Sequence, residues 1–311
     1  MREWSMKAAR IHRFGGPEVI AIDEVDVPRP GPRALRIKVE ASSVNPVDYK
    51  IRKGGFLPAG ALPIALGRDV AGVVDAVGAE AAGFEPGDAV FAMLEITEGG
   101  NADYAVAEAA ACAPAPAGLD MVRAGSLGLA ALTAWQGLFD HGALGAGQRV
   151  LIHGAAGGVG HLAVQFALAR GAGVAATCAG ADVDFVRGLG AETVIDYQTQ
   201  RFEDQVGPCD MVYDLIGGET QERSWAVLRD GGILVSTLTA PDTSKSGGKG
   251  RRGAHYMARP NGAQLRLVAG LVAEGTVTPH VARTMDLFEV AEAHRTLEHD
   301  HVRGKLVLTV G

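Results

Sequence analysis

The run at residues 150–161, Val-Leu-Ile-His-Gly-Ala-Ala-Gly-Gly-Val-Gly-His, leaves few folds open to this chain. A short apolar strand passes into a glycine turn that opens a helix. Free backbone N–H groups and the positive helix end therefore face whatever lies at the strand's C-terminal edge. A pyrophosphate fits that place. On the G-x-G-x-x-G template the key positions fall on Ala155, Gly157 and Gly160, so an alanine stands where the first glycine belongs. A bare glycine pattern is weak evidence, but this one sits between a strand and a helix inside a series of alternating strands and helices. We therefore read it as a dinucleotide-binding turn, with Ala155, Ala156, Gly157, Gly158 and Val159 as the cradle. The stretch 150–169 is uncharged and long enough to span a membrane, yet its glycines, His153, His161 and Gln165 mark strand, turn and helix instead.

The same alternation runs through the second half of the chain. Strands are expected at 150–153, 173–178, 193–196, 211–214 and 232–236, and helices at 158–170, 183–189, 220–228 and 263–273, which makes an α/β, doubly wound parallel sheet. Before residue 115 the signals are short strands, at 7–12, 34–42, 69–77 and 89–92, separated by Gly and Pro. An Ala- and Leu-rich helix follows at 121–139. A last helix at 290–298 and a strand at 305–310 are expected to return to the β-rich domain. The predicted domains are thus 1–125 with 264–311, and 126–263. Only residues 241–253, Pro-Asp-Thr-Ser-Lys-Ser-Gly-Gly-Lys-Gly-Arg-Arg-Gly, are low in complexity; they read either as a basic lid over the ligand edge or as a solvated loop.

Composition narrows the function. With 311 residues, two domains are expected at roughly 150 residues each. A net charge of −7 gives no field for nucleic acid or an anionic membrane. Glycine, at 43 residues, is about twice its usual share, as befits tight turns and close backbone approach to a ligand. Three scattered cysteines, Cys112, Cys178 and Cys209, form neither a disulfide framework nor a clustered zinc site. Residues 1–7 carry no apolar signal segment, and a cytoplasmic location is expected.

In NAD binders an acid about 20 residues past the glycines, at the end of the second strand, holds the ribose hydroxyls. Here that strand ends Thr177-Cys178-Ala179-Gly180, without an acid, which favours NADP(H) over NAD(H). Tyr197 can offer a hydroxyl after the third strand, or can be a half-buried aromatic.

Taken whole, the chain resembles the medium-chain dehydrogenase/reductase superfamily, and within it the zinc-independent NADPH:quinone oxidoreductase (zeta-crystallin-like) branch. The resemblance rests on Ser43-Val44-Asn45-Pro46-Val47-Asp48-Tyr49, Gly67-Arg68-Asp69-Val70-Ala71-Gly72, Gly83-Phe84-Glu85-Pro86-Gly87-Asp88, the turn at 155–160, Leu189-Gly190-Ala191 and Val302-Arg303-Gly304-Lys305. It implies a GroES-like β-rich catalytic domain, a Rossmann domain carrying NADPH, a cleft between them and a homodimer. It adds Thr177, Cys178, Tyr197, Leu215, Ile216, Thr237, Leu238 and Lys305 to the cofactor residues. Zinc-holding members have Cys where this chain has Asn45 and His-Glu where it has Arg68-Asp69, so no metal is expected. Without a Lewis acid for an alkoxide, an electron-poor quinone or α,β-unsaturated carbonyl is the expected acceptor.

The resemblance places Asn45 and Thr133 near the nicotinamide; otherwise Asn45 is a turn residue before Pro46, and Thr133 bonds back to its own helix. Tyr49 is the nearest proton donor, acting as a neutral phenol, while Asp48 is expected to orient backbone. Phe56 stands in a segment where many relatives carry a Tyr, which counts against a 2-enoyl-thioester reductase. That activity, and a non-catalytic NADPH sensor or RNA-binding protein of crystallin type, remain the alternatives; the charge opposes RNA.

Overall fold

The structure, a computed structural model, describes residues 5–311. The reading of the N-terminal segment lies, for residues 1–4, outside the described residues. The chain divides into two compact units. One comprises the residues up to Leu132 with Arg259–Gly275 and Pro279–Gly311; the other comprises Thr133–Ala258 with Thr276–Thr278.

The first unit opens with β1 (Ser5–Ile11), β2 (Ile20–Asp26) and β3 (Ala34–Val44), followed by helix α1 (Pro46–Arg52). Next come β4 (Ile64–Ala65), β5 (Asp69–Val77), β6 (Ala89–Met93), β7 (Tyr104–Glu108) and β8 (Cys112–Pro114), then α2 (Met121–Ala124) and α3 (Gly128–Trp135). Expected as one helix over 121–139, this last region is broken. Asp120 caps α2, Leu129 N–H turns to the buried Asp69 carboxylate, and a looser π-helical turn at Gln136–His141 follows α3. These contacts tie the start of α3 to the first unit, so the changeover comes after Leu132 instead of after residue 125.

The second unit holds β9 (Arg149–His153), α4 (Gly160–Ala169), β10 (Gly173–Cys178), α5 (Val183–Gly188) and β11 (Thr193–Asp196). It continues with β12 (Cys209–Asp214), α6 (Gly218–Arg223), β13 (Leu228–Ser236) and β14 (Arg252–His255). The strands form one parallel sheet in the order β11-β10-β9-β12-β13-β14. Val150, Leu151 and Ile152 are all fully buried, as a parallel strand covered on both faces requires. Chain order runs outward from β9 on one side and from β12 on the other. The sheet therefore has its topological switch between β9 and β12, where such folds bind ligands.

The tail adds α7 (Gly262–Ala273), β15 (Val281–Asp286), α8 (Val290–His299) and β16 (Lys305–Thr309). It belongs to the first unit, whose larger sheet runs β15-β16-β3-β5-β6-β8 with β7 paired to β3; β2-β1-β4 form a second sheet. Its core packs Leu35, Ile37, Val70, Val90 and Leu308, each contributing about 2 kcal/mol through burial. A Cβ on Gly262 would fall 2.2 Å from Cys112 O, so α7 lies directly against β8, and the second changeover precedes Arg259 rather than residue 264.

Two buried histidines are held neutral. His153 lies 3.0 Å from Thr177 Oγ1 through Nδ1 and 3.0 Å from Ser224 Oγ through Nε2. Because Ser224 Oγ donates to Thr220 O, it accepts from His153, which puts the ring proton on Nε2. Burial pushes His153 down to about 4, and pushes His294, which faces the Arg52 guanidinium, down to about 3. The unfolded chain takes up protons that these folded histidines refuse. Their stabilisation is complete above about pH 6.5 and is lost as the pH falls toward 4. Urea midpoints measured from pH 7 to pH 4 should fall steeply, and His153→Leu should flatten that slope whatever its offset at pH 7.

Candidate functional site

At the end of β9, Gly154 takes φ +71°, a left-handed conformation that turns the chain across the sheet edge. Gly157 N–H donates to Gly154 O and His161 N–H to Gly157 O, which winds the turn into α4. A Cβ on Gly160 would fall 2.2 Å from Gly154 O, so the close approach of turn and helix needs glycine there. Gly157 is different. A Cβ on it would meet only Gly154 O, at 3.4 Å, and would otherwise stand in open space above the turn. Ala155 is fully buried and its N–H donates to Thr177 O, so the alanine in place of the template's first glycine points its methyl into the protein. In the first turn of α4, His161 and Ala163 N–H are bonded to the Gly157 and Val159 carbonyls, and the helix start carries the positive end of its dipole, about half an elementary charge. This cradle fits a dinucleotide pyrophosphate.

The neighbouring strand ends are fixed by Asp214, fully buried at the end of β12. Its carboxylate accepts from Ile216 N–H, Gly217 N–H, Gln221 Nε2 and Ser236 Oγ. Leu215 and Ile216 are thereby held beside the glycine turn, and a Cβ on Gly154 would lie 3.1 Å from Ile216 Cδ1. Thr237 and Leu238 follow at the end of β13, where Leu238 N–H donates to Ser236 Oγ. Ile216 and Tyr197 are more than half exposed at this edge. Cys178 is buried in the last turn of β10.

Thr177 ends β10 at this edge, with its hydroxyl buried against His153 Nδ1. The sequence reading missed Asp196. Parallel pairing sets Asp196 opposite Cys178, and a Cβ on Gly180 would lie 2.9 Å from Asp196 Oδ2. An acid therefore stands beside the end of β10, on β11, where a count along one strand does not look, and its carboxylate accepts from Gln198 N–H and Thr199 Oγ1 of its own loop. The basic stretch 241–253 is tied down: Lys245 pairs with Glu222, Lys249 with Asp230, and β14 joins the sheet.

In the first unit a polar cluster is sealed from water. Asp69, fully buried, accepts from Ser43 Oγ, from Asn45 Nδ2 at 2.8 Å, from Leu129 N–H and from Lys305 Nζ at 3.4 Å. Lys305 Nζ also donates to Asn45 Oδ1 and to Val44 O. The Asn45 amide is therefore oriented unambiguously, with oxygen to the ammonium and nitrogen to the carboxylate. The Lys305 ammonium thus has three acceptors inside this cluster, two of them at 3.4 Å. Tyr49, half-buried on α1 with Lys53 over its ring, has its phenol pushed up by burial and by Glu298, and stays protonated. Thr133, nearly buried, is the first residue of the second unit.

The donors around Asn45 do not suit a zinc ion. An amide, a single shared carboxylate, the Lys305 ammonium and the Arg68 guanidinium, which bonds Leu94 O, stand where thiolate and imidazole would be needed. Among the described residues no group of three His, Cys, Asp or Glu side chains is placed to hold a metal.

Asp48 orients backbone, as expected, accepting the Asn45 N–H at 2.7 Å, while its Oδ1 is buried without a hydrogen bond. Burial raises its pKa from 3.8 to about 7; Asp69 adds to the rise, and the Asn45 N–H, Lys305 and Arg68 oppose it. The folded state thus favours the neutral acid, and its contribution is lost as the pH rises from about 4 through 7. Asp48→Asn keeps the acceptor without the charge. Its unfolding midpoint relative to the parent should climb between pH 4 and 7 and level off above.

Two family models match the chain, the Alcohol dehydrogenase GroES-like domain over residues 31–139 and the Zinc-binding dehydrogenase over residues 189–308. The mitochondrial NAD(P)H oxidoreductase RTN4IP1 of Bos taurus is 32% identical, across 99% of this chain and 90% of that protein. The quinone oxidoreductase of Coxiella burnetii has a TM-score of 0.91 at 34% identity, covering 99% of this chain and 100% of that one. A mycobacterial protein complexed with NADPH has a TM-score of 0.87 at 27% identity, covering 98% and 100%. The chain belongs to the medium-chain dehydrogenase/reductase superfamily of oxidoreductases, and the quinone oxidoreductase branch is the one its residues and relatives fit.

Proposed function

We propose that the protein is a zinc-independent, NADPH-dependent reductase whose acceptor is a quinone or the β-carbon of an α,β-unsaturated carbonyl. The observation that carries this reading is the open glycine turn at Gly157, set at the switch point of a parallel sheet. The relatives named above support it, one of them a quinone oxidoreductase and another a protein complexed with NADPH. The bound nicotinamide supplies a hydride at C4. The protein's residues then have three tasks. The α4 N-terminus and the 154–159 turn hold the pyrophosphate through backbone N–H groups. Ile216, with Tyr197, offers exposed apolar surface at the same edge, suited to the nucleotide's flat groups. Tyr49, kept neutral, is the phenol we assign to protonating the reduced acceptor.

The donor set around Asn45 bears on the acceptor. A site whose cations are ammonium and guanidinium lacks the Lewis acid that alcohol oxidation demands, whereas an electron-poor acceptor needs mainly positioning and a proton. Asp196, at the end of β11 opposite Cys178, weakens the argument for NADPH from a missing acid, so the two coenzymes are to be compared directly.

The test is coenzyme oxidation by chelator-treated protein, with NADPH and NADH in parallel, over quinones, an alkenal and an enoyl-thioester. Chelator-resistant turnover with NADPH preferred is expected for the first two classes. Tight NADPH binding without turnover of any acceptor would replace the reductase by a sensor. Gly157→Val should leave the melting temperature almost unchanged, because its side chain fills only the cradle, yet weaken NADPH binding more than about tenfold. A calorimetric titration beside a melting curve checks both halves.

A further inference from the structure

The helix that carries Thr133 is opened by side chains, and nothing in the proposed reaction yet uses them. In an α-helix the Thr133 carbonyl would accept the Gly137 N–H. Here the turn widens at Gln136–His141, where Gly142 N–H reaches back five residues to Gly137 O, at 2.9 Å. Two phenols take the Thr133 carbonyl instead. Tyr213 Oη, from β12, lies 2.9 Å from it, Tyr256 Oη also donates to it, and the two phenol oxygens are 2.6 Å apart.

Glycine is required at position 137 for this wedge. A Cβ there would fall 2.4 Å from Tyr256 Oη and 2.5 Å from Tyr213 Cε2. Two hydroxyl protons must serve three close oxygen contacts. One contact must therefore lack a proton, and a chain in which Tyr213 donates to Tyr256 and Tyr256 donates to Thr133 O puts the protons in the two shorter contacts, leaving the longer Tyr213–Thr133 contact of 2.9 Å without one. Both protons are thereby pinned. Burial pushes both phenols far above the ordinary tyrosine range, so the pair stays neutral. The His141 ring, stacked on Tyr256 at 4.4 Å, covers the outer side. Widened turns of this kind are less stable than a regular helix and recur at functional sites. Here the widening starts just past Thr133.

We propose that Tyr213 and Tyr256 are positioning residues, a phenol wedge that opens the helix at Gly137 and holds Thr133 toward the nicotinamide end of the bound dinucleotide. The proposal rests on the reading of Thr133 implied by the family resemblance, and its test is built to separate the two.

The test compares Kd for NADPH with Kd for 2′-phospho-ADP-ribose, which keeps the pyrophosphate and both riboses but lacks the nicotinamide. In Tyr256→Phe the preference for NADPH over the fragment should shrink about fivefold to tenfold, the worth of one neutral hydrogen bond, while fragment affinity is unchanged. Single-turnover hydride transfer should slow by a similar factor at constant acceptor KM. Tyr213→Phe, which keeps the Tyr256 bond to Thr133, should show the same pattern more weakly and serves if Tyr256→Phe does not fold. A lowered melting temperature with the preference and the transfer rate of the parent protein would overturn the wedge and leave only a structural role. A parent protein that binds the fragment as tightly as NADPH would instead overturn the placement of Thr133, and with it the proposal.

Discussion

A carboxylate without water is costly unless its lone pairs are matched, and each unit of this protein is organised around one such group. Asp214 gathers two loop N–H groups, the Gln221 amide and the Ser236 hydroxyl. Asp69 gathers the Ser43 hydroxyl, the Asn45 amide, the Leu129 N–H and the Lys305 ammonium. Removing Lys305 from the Asp69 cluster leaves a buried charge uncompensated, at a cost of about 3 kcal/mol or more, whereas losing one neutral donor to Asp214 costs about 1–3 kcal/mol. That penalty makes the loops around each carboxylate rigid. The Leu215–Ile216 turn is held to the edge where the glycine cradle opens, and Asn45 is held with both ends of its amide committed.

The two carboxylates differ in what they do for chemistry. Asp214 works on backbone, presenting a strand end at the switch point. Asp69 works with a cation of the protein's own: Lys305 reaches it from the last strand, and the pair occupies a place that donors for a metal would need. A buried ammonium–carboxylate pair adds little net stability over an apolar equivalent, because desolvation offsets most of the attraction. Its effect here is geometric. It fixes the Asn45 amide and keeps the site's positive charge bonded to the protein's own acceptors.

Local order elsewhere is broken for a purpose that shows only in three dimensions. The run from Met121 to Phe139 has no proline, but it carries Gly125, Gly128 and Gly137, and Gly125 caps α2 locally. Partners distant in sequence add to the breaks: Asp69 captures the Leu129 N–H, and two phenols from β12 and from just beyond β14 capture the Thr133 carbonyl.

The cradle was legible in the sequence because it is local. Gly154, Gly157 and Gly160 lie within a few residues, and their spacing encodes one turn between one strand and one helix. The parallel sheet was equally legible from alternating apolar runs, as was the absence of clustered thiols. What pairing across the fold brings together was not legible. Asp196 comes beside the end of β10 only through strand register, Thr177 meets His153 across the pairing of β9 and β10, and Lys305 joins Asn45 across 260 residues. Sequence determined the backbone classes and the phosphate turn, since those follow from local sterics and periodicity. Tertiary structure alone decided which polar groups are already satisfied, because hydrogen-bond partners are chosen by distance in space.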